Sequence, residues 1–309
     1  MRTKLSAMFF LILVSCGEKQ SPKITAQEII DKSISVAGGD LYRSSRIQFD
    51  FRGNTYMSCL EGGKRVLVRY IVTDSARIED RRAGDEFSRK VGASVQELAD
   101  STRSKLSNAV NSVHYFAYLP YWLNGSAVHK ELLGTTTLRN KEYYKIRVTF
   151  SEAGGGEDYE DVFIYWINSE SYRPDYLAYL YHTNGGGIRF REAFNDRQIG
   201  GISFVDYRNY KPSDSVDLVF LDQLFEAGKL EEISQIVLEN VSVTSGNCNL
   251  CAIGKLPIDR RISAPQTNSH CLSRPWQGID FPCPRAYLLY LGWYYYAPQP
   301  RPSYPIFLV

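Results

Sequence analysis

His114 is the side chain of this sequence best suited to acid–base chemistry, because histidine titrates nearest to neutral pH. Arg191 and Glu192 lie together just after a glycine-rich turn further along the chain. A histidine that meets a carboxylate can act as a general acid or base. However, no nucleophile elbow, HExxH motif or paired metal ligands accompany these residues, and charges on alternating strands usually face solvent or pair across strands. The sequence therefore assigns no catalytic residue and keeps His114, Arg191 and Glu192 as an alternative polar site.

A dense run of large aromatic residues follows His114 directly, and we expect this run to form a loop. Ligand sites are mostly apolar and contain few polar groups, so this run could line or gate an apolar cavity. The same run could instead fill the interior of a sheet and form core, and both interpretations stay open. The candidates for a ligand cavity, including one residue of a later strand, are Tyr115, Phe116, Tyr118, Tyr121, Trp122 and Phe190.

The N-terminus has the pattern of an export signal with a lipid attachment site. Arg2 and Lys4 precede an apolar run over residues 7–14, which is too short to span a membrane. Residues 13–16, Leu-Val-Ser-Cys, resemble the lipobox of bacterial lipoproteins, and this resemblance implies cleavage before Cys16 and its acylation. We therefore expect a signal peptide over 1–15, a lipidated cysteine and tether over 16–24, and a cell-envelope protein anchored in the outer membrane.

The cysteines beyond Cys16 allow two interpretations. Cys59 alone falls in the body of the chain, where we expect a core or strand position without a role. The others could form disulfides or, with a histidine, hold zinc. Their spacing fits no compact zinc pattern and an oxidising envelope favours disulfides, so we predict neither a metal nor a cofactor. These residues are Cys248, Cys251, His270, Cys271 and Cys283.

Composition divides the chain near residue 244. Over all 309 residues, 44% are hydrophobic and 23% charged, which is typical of a globular protein, and a net charge of +2 gives no indication of nucleic-acid binding. Residues 245–309 differ, since basic residues exceed acidic ones there and most of the prolines occur there. We expect one domain over 25–244, followed by a Pro-, Cys- and Tyr-rich tail. That tail is either a real appendage, folded or disordered, or a frameshifted or misjoined reading frame.

The elements that must position these residues are mostly strands. Thr25 and Glu28 form a capping box at the start of one helix, and apolar spacing predicts a second helix over 94–113. Strand patterns alternate with glycine-rich turns, as in hairpins. Because no βαβ alternation occurs, the pattern excludes TIM barrel and Rossmann folds. The predicted fold class is α+β, a single strongly curved antiparallel sheet with helices on its concave face.

Several runs of the body resemble an uncharacterised family of Gram-negative envelope lipoproteins, the DUF6503-type family. The most specific are VHYFAYLP at 113–120 and GGGIRFREAFN at 185–195, and the resemblance covers roughly residues 26–243. It implies a half-barrel like that of the LolA and LolB lipoprotein carriers, in which helices close a curved antiparallel sheet over an apolar cavity. It also implies an activity of holding an acyl chain or a lipoprotein.

Three functions remain open, and each predicts a different interior. A carrier of a lipid-like or lipoprotein ligand predicts a deep apolar cavity without convergent charges. A structural or interaction lipoprotein predicts a sheet interior filled by its own helices and an exposed apolar patch elsewhere. An envelope enzyme predicts that His114 meets a carboxylate such as Glu192 within hydrogen-bond reach. We expect the first of these, with the membrane as a partner through Cys16 and no nucleic acid.

Overall fold

The computed structural model describes residues 24–155, 158–182, 185–246 and 248. Its helices are α1 (Ala26–Ala37), α2 (Leu41–Ser44), α3 (Asp100–Ala117), α4 (Glu152–Gly155) and α5 (Leu221–Glu226), with 3-10 turns at Tyr121–Asn124 and Leu218–Phe220. Its strands are β1 (Ser45–Phe51), β2 (Asn54–Glu61), β3 (Lys64–Val72), β4 (Arg77–Ala83), β5 (Glu86–Val91), β6 (Ser94–Val95), β7 (Val128–Leu138), β8 (Lys141–Phe150), β9 (Val162–Asn168), β10 (Pro174–Tyr181), β11 (Gly187–Ile199), β12 (Ile202–Pro212), β13 (Leu230–Ile236) and β14 (Glu239–Ser245). None of the helices described is long and apolar enough to cross a membrane.

The strands form two antiparallel sheets of seven strands each. The first has the order β14-β1-β2-β3-β4-β5-β6, and the second has the order β13-β12-β11-β10-β9-β8-β7. The chain passes from the second sheet to the first between Ile236 and Glu239, where β13 leads into β14. The α+β antiparallel class is thus confirmed, although the strands divide into two sheets where a single one was expected. Neither sheet closes on itself among the strands described.

Helix α1 forms where the capping box predicts it. The Thr25 side chain accepts a hydrogen bond from the Glu28 backbone, and the Glu28 side chain accepts one from the Thr25 backbone. Ile29 and Ile30 are fully buried on its apolar face. Gly38 ends the helix with a φ of 136°, and a Cβ there would lie 3.1 Å from the Cα of Ile202. Both the backbone angle and the contact with β12 therefore require glycine.

Helix α3 begins and ends later than the 94–113 predicted from apolar spacing. Ser94 and Val95 pair with β5 as a short strand, and α3 then runs from Asp100 to Ala117. The helix ends before Pro120, since proline has no backbone N–H and restricts the residue before it. The aromatic run that was expected to be a loop is therefore the last turn of a helix, a short turn and the 3-10 helix Tyr121–Asn124.

Two apolar cores lie on opposite faces of the second sheet. The larger core joins α1, the end of α3 and the residues after it to side chains of both sheets. The smaller core lies beneath α5 and the 3-10 turn before it, and includes Trp166, Tyr176 and Phe225. Each strand of the second sheet thus contributes alternate side chains to two different interiors.

Candidate functional site

The aromatic segment, residues 115–122, packs into the larger core between the two sheets. Phe116 lies 5.4 Å from the Tyr179 ring of β10, measured between ring centroids. Tyr118 makes an edge contact at 6.1 Å with Phe49 of β1. The segment therefore bridges side chains of both sheets, and it occupies the interior that a half-barrel carrier would offer to a ligand.

Hydroxyl groups fix parts of this segment inside the core. The Tyr118 hydroxyl donates to Ser58 Oγ at 2.9 Å, and the Tyr115 and Tyr165 hydroxyls lie 3.2 Å apart. Burial raises the pKa of Tyr115 to about 12, so its hydroxyl stays protonated and can donate. Tyr121 and Trp122 lie nearer the surface, and the Tyr121 ring stacks on Tyr42 at 5.0 Å. The inner part of the segment is thus held more firmly than the outer part.

A cavity of about 10 Å³ remains beneath the segment, enough for a single water. The interior is therefore filled, as expected for a structural lipoprotein, and the deep cavity expected of an open carrier is absent from this part of the described chain. The residues that line the small cavity are Phe51, Val113, Phe116, Ala117, Val205, Tyr207, Ile236 and Leu238.

Phe190 does not join the other cavity candidates. It lies in the smaller core, on the opposite face of the second sheet, 4.8 Å from Phe225 and 5.4 Å from Trp166 between ring centroids. Neighbouring residues of a strand point to opposite faces, so Phe190 and Arg191 enter different cores. Phe190 therefore lies apart from the other cavity candidates, in a different core.

His114 is fully buried and bonds only to backbone carbonyls. Its Nδ1 lies 2.8 Å from Val110 O, and its Nε2 lies 3.2 Å from Met57 O. Burial lowers the pKa of His114 to about 4, so the imidazole is neutral at neutral pH. No carboxylate among the residues described forms a hydrogen bond or ion pair with it. His114 therefore joins α3 to β2 as a core residue.

We expect the burial of His114 to make the protein less stable at mildly acidic pH. Its folded pKa lies below the ordinary 6.5, so the unfolded chain binds the proton more readily. Stability from this group is therefore complete above pH 6.5 and falls by about 3 kcal/mol as the pH decreases to 4. Urea unfolding at several pH values should show this slope in the wild type, and it should be absent from His114→Phe.

The difference between the two slopes contains no contribution from the other titrating groups, since both proteins share those groups. The variant will be less stable overall, because it loses the hydrogen bond that the single N–H of the neutral imidazole donates to a backbone carbonyl. Equal slopes in the two proteins would contradict the assignment of a neutral buried histidine.

Glu192 is not brought to His114. Its Oε2 accepts hydrogen bonds from Arg208 Nη1 at 3.2 Å and from the Tyr210 hydroxyl at 3.1 Å. Arg191, which precedes Glu192 on β11, points into the larger core instead. The condition set for an enzyme, His114 within hydrogen-bond reach of a carboxylate such as Glu192, is therefore not met.

Arg191 is fully buried in the larger core, with its guanidinium against aromatic rings. Its Nη2 donates to the Tyr179 hydroxyl at 2.7 Å, and its Cζ lies 4.0 Å from the centroid of Phe116. Its Nε and Nη1 have no hydrogen-bond partner among the residues described. The Tyr207 hydroxyl and Asn209 Oδ1, on the adjacent strand β12, are also buried without partners there. Tyr207 and Asn209 gave no signal in the sequence, since only strand register shows their proximity to Arg191.

Three buried carboxylates, those of Asp80, Asp206 and Asp222, differ from Arg191 in having partners of opposite charge. Asp80 pairs with Arg69 and Arg89, at 2.6 Å in each case. Asp206 pairs with Arg197 at 3.0 Å, and Asp222 pairs with Lys145 at 2.6 Å. Buried charges are normally paired in this way. These clusters stabilise the fold, whereas the charge of Arg191 has no carboxylate partner in the described chain.

Cys59 forms a disulfide with Cys248, so the expectation that it has no role was wrong. Cys248 N–H also donates to Leu60 O at 3.0 Å, which holds the residue beside β2. A bonded cysteine is not a thiolate, so Cys248 cannot serve in the zinc site considered above. The described residues contain no group of three or more potential metal ligands. The remaining cysteine and histidine candidates, Cys16, Cys251, His270, Cys271 and Cys283, lie outside the described residues.

Comparison with known proteins gives one family and several distant structures. A family model described as a family of unknown function, DUF6503, matches residues 5–237, and no curated protein matches the chain. The LolA superfamily protein NE2245 from Nitrosomonas europaea is similar at 12% identity and a TM-score of 0.42, over 72% of this chain and 95% of that one. A DUF1329 family protein from Desulfovibrio piger is similar at 11% identity and 0.41, over 72% and 94%. The Mycobacterium tuberculosis lipoprotein LppX is similar at 13% identity and 0.23, over 52% and 90%.

Proposed function

We propose that this chain, which belongs to the DUF6503 family of unknown function, is a carrier or binding module for a lipid-like or lipoprotein ligand. The lipobox-like sequence ending at Cys16 supports attachment to a membrane, and the expected membrane is the outer membrane. The ligand enters the larger core when the aromatic segment, residues 115–122, moves outward. The filled interior is then the closed, ligand-free form of the carrier.

The observation that supports loading of a ligand is that the aromatic segment occupies much of the interior between two sheets that do not close, so that movement of this one segment would open space there. Each aromatic side chain of such a segment buries roughly 150–250 Å². An acyl chain in the same place would bury apolar surface at about 25 cal/mol per Å², the same coefficient that applies to the rings it replaces. Where the two buried areas are similar, the exchange of rings for an acyl chain is close to balanced, which is the condition for a carrier that must both load and release.

The outer end of the segment is tied by polar bonds near the surface. Lys130 Nζ donates to Leu123 O at 2.8 Å, and Asn124 Nδ2 donates to Asp31 Oδ1 at 2.6 Å. Bonds of this kind contribute little net stability, because water can replace either partner. Opening at this end therefore costs less than opening at Tyr118, whose hydroxyl bond is buried.

A structural lipoprotein with a self-filled interior is the second candidate. The small volume beneath the segment, about 10 Å³, favours it. In that case α3 and the aromatic segment are permanent core, and the function resides in an exposed surface. The two candidates differ in whether an added acyl ligand enters the core at all.

We expect an added acyl ligand to change the environment of Trp122 as it displaces the aromatic segment. The full chain carrying Cys16→Ser, purified without detergent, should show added lipid mass by native mass spectrometry and a parallel change in tryptophan emission. Trp122 makes an edge contact with Tyr121, with 5.1 Å between the ring centroids, so outward movement alters its surroundings directly. In the variant Trp122→Phe, the lipid mass should remain and most of the emission change should disappear.

Trp166→Phe is the matched control, because Trp166 is fully buried in the smaller core on the other side of the second sheet. Its removal should leave the ligand-dependent change intact. If fatty acid and phospholipid produce neither a mass shift nor an emission change, the carrier is excluded and the structural candidate takes its place.

A further inference from the structure

The larger core contains a cluster of buried polar atoms that the protein itself leaves unsatisfied. Arg191 contributes Nε and Nη1, Tyr207 its hydroxyl and Asn209 its Oδ1, and none has a hydrogen-bond partner among the residues described. Arg191 on β11 lies directly opposite Asn209 on β12 in the strand register. The Arg191 Cζ lies 5.9 Å from the ring centroid of Tyr207. Buried groups of this kind are normally satisfied, so their concentration at one place requires an explanation.

The positive charge of Arg191 narrows the kind of ligand that could satisfy these buried atoms. A guanidinium keeps its positive charge in proteins, so Arg191 cannot become neutral to avoid the cost of burial. Its Nη2 donates to a neutral hydroxyl, that of Tyr179, and no carboxylate of the described chain pairs with Arg191. The aromatic faces of Phe116 and Tyr179 offset part of this cost. The remaining requirement is an anion that can accept from Nε and Nη1.

We propose that Arg191, Tyr207 and Asn209 bind the anionic head group of an acyl ligand. This inference rests on the proposed carrier function and narrows its ligand to amphiphiles with a carboxylate or phosphate. Arg191 donates to the anionic oxygens, and Arg is the side chain best suited to both groups. Burial raises the pKa of Tyr207 well above its ordinary value, so its hydroxyl stays protonated and donates to the same anion. Asn209 Oδ1 supplies an acceptor for a hydroxyl carried beside the head group.

Phe116 covers the site and links it to the aromatic segment. Its ring lies against the guanidinium, with 4.0 Å between Arg191 Cζ and the ring centroid, and it also lines the small cavity beside Tyr207. Movement of the aromatic segment therefore uncovers the charge and the apolar space in one step. The head group lies at Arg191, and the acyl chain takes the place of the rings.

The test compares three palmitoyl ligands with the same chain and different head groups: palmitate, palmitoyl lysophosphatidic acid and neutral monopalmitoylglycerol. We measure the affinity of each for the full chain carrying Cys16→Ser by titration calorimetry. A charge-assisted hydrogen bond predicts that the wild type prefers at least one anionic ligand by about tenfold to a hundredfold over the neutral one. Tighter binding of palmitate would indicate a site for a carboxylate, and tighter binding of lysophosphatidic acid would indicate a site for a phosphate.

Variants of Arg191 assign the preference to the proposed site. Arg191→Met should lose the preference and keep its affinity for monopalmitoylglycerol, whereas Arg191→Lys, which retains the charge, should keep part of it. Arg189→Met is the matched control, because Arg189 lies two residues away on the same strand but is only half-buried and donates to the Tyr181 hydroxyl. Without ligand, Arg191→Met should melt at a higher temperature than the wild type, since it removes a buried charge that has no counter-ion.

The outcomes separate this inference from the proposed function. Equal affinities for the three ligands in the wild type, or an unchanged anionic preference in Arg191→Met, overturn the head-group site and leave the carrier intact. If none of the three ligands binds, the carrier itself is excluded and the head-group site with it. If Arg191→Met does not fold, Arg191→Lys and Arg189→Met still decide the result. In that case, a preference for anionic ligands that falls equally in Arg191→Lys and in Arg189→Met would overturn the assignment of the site to Arg191.

Discussion

Replacing Asp206 with alanine should lower the free energy of unfolding by about 3–5 kcal/mol. Asp206 is fully buried, and its carboxylate accepts three hydrogen bonds. The donors are Asn195 Nδ2 at 2.6 Å, Arg197 Nη2 at 3.0 Å and Leu238 N at 2.9 Å. Removing the carboxylate leaves a largely buried cation without its partner and a buried backbone N–H without an acceptor.

The position of Asp206 explains why the effect should extend beyond one strand. Leu238 lies between β13 and β14, where the chain passes from the second sheet to the first. Arg197 Nη2 also donates to Leu238 O at 2.7 Å, so Asp206 and Arg197 together bind both backbone polar groups of Leu238. We therefore expect the variant to loosen the junction of the two sheets, in addition to β11 and β12.

Urea unfolding monitored by circular dichroism would measure the effect. Asp206→Asn retains the shape and one acceptor oxygen, so its loss should be smaller than that of Asp206→Ala. Asp214→Ala is the control for removing an acidic residue from the surface, and it should change stability by less than about 0.5 kcal/mol. A loss below about 1 kcal/mol for Asp206→Ala would show that the ion pair does not hold the junction.

Local signals in the sequence were sufficient for the fold class and for α1. The capping box of Thr25 and Glu28 depends on residues three positions apart, and alternation with glycine turns depends on residues close in the chain. The limits of α3 were missed, because Ser94 and Val95 join a strand only through pairing with β5. The division into two sheets was missed for a similar reason, since it depends on how β13 leads into β14.

In the candidate site, too, features that depend on neighbouring residues were predictable, whereas features that depend on strand pairing were not. The aromatic segment was found from its composition, because large rings next to one another are conspicuous in a sequence. Arg191 and Glu192 were grouped because they are adjacent, yet adjacent residues of a strand face opposite ways. Arg191 enters the larger core, whereas Glu192 pairs with Arg208. Alternation along β11, applied residue by residue, would have separated them.

The filled interior and the buried guanidinium carry different weight in choosing a function. A filled interior fits both a closed carrier and a structural lipoprotein. Arg191 favours the carrier, because a permanent core gains nothing from a charge whose partners it does not supply. The paired carboxylates Asp80, Asp206 and Asp222 show that the same fold satisfies buried charge elsewhere. Arg191 departs from this pattern at the place where the proposed ligand binds.

Removing the Cys59–Cys248 disulfide should cost up to about 5 kcal/mol, the largest stability effect we predict. The bond joins residues 189 positions apart, and a cross-link over so long a segment strongly restricts the unfolded chain. Urea unfolding of the double variant Cys59→Ala/Cys248→Ala would measure the loss. Reduced wild type should be destabilised to nearly the same extent, and reductant should not affect the double variant further.

The size of this loss also decides where the folded body ends. A cost of several kcal/mol would mean that Cys248 is part of the body, so the boundary that composition placed near residue 244 falls too early. Any change of reading frame would then lie beyond Cys248, and a fragment ending at 244 would lack a stabilising bond. A loss below about 1 kcal/mol would contradict this, because such a small value is typical of residues that lie outside the folded unit.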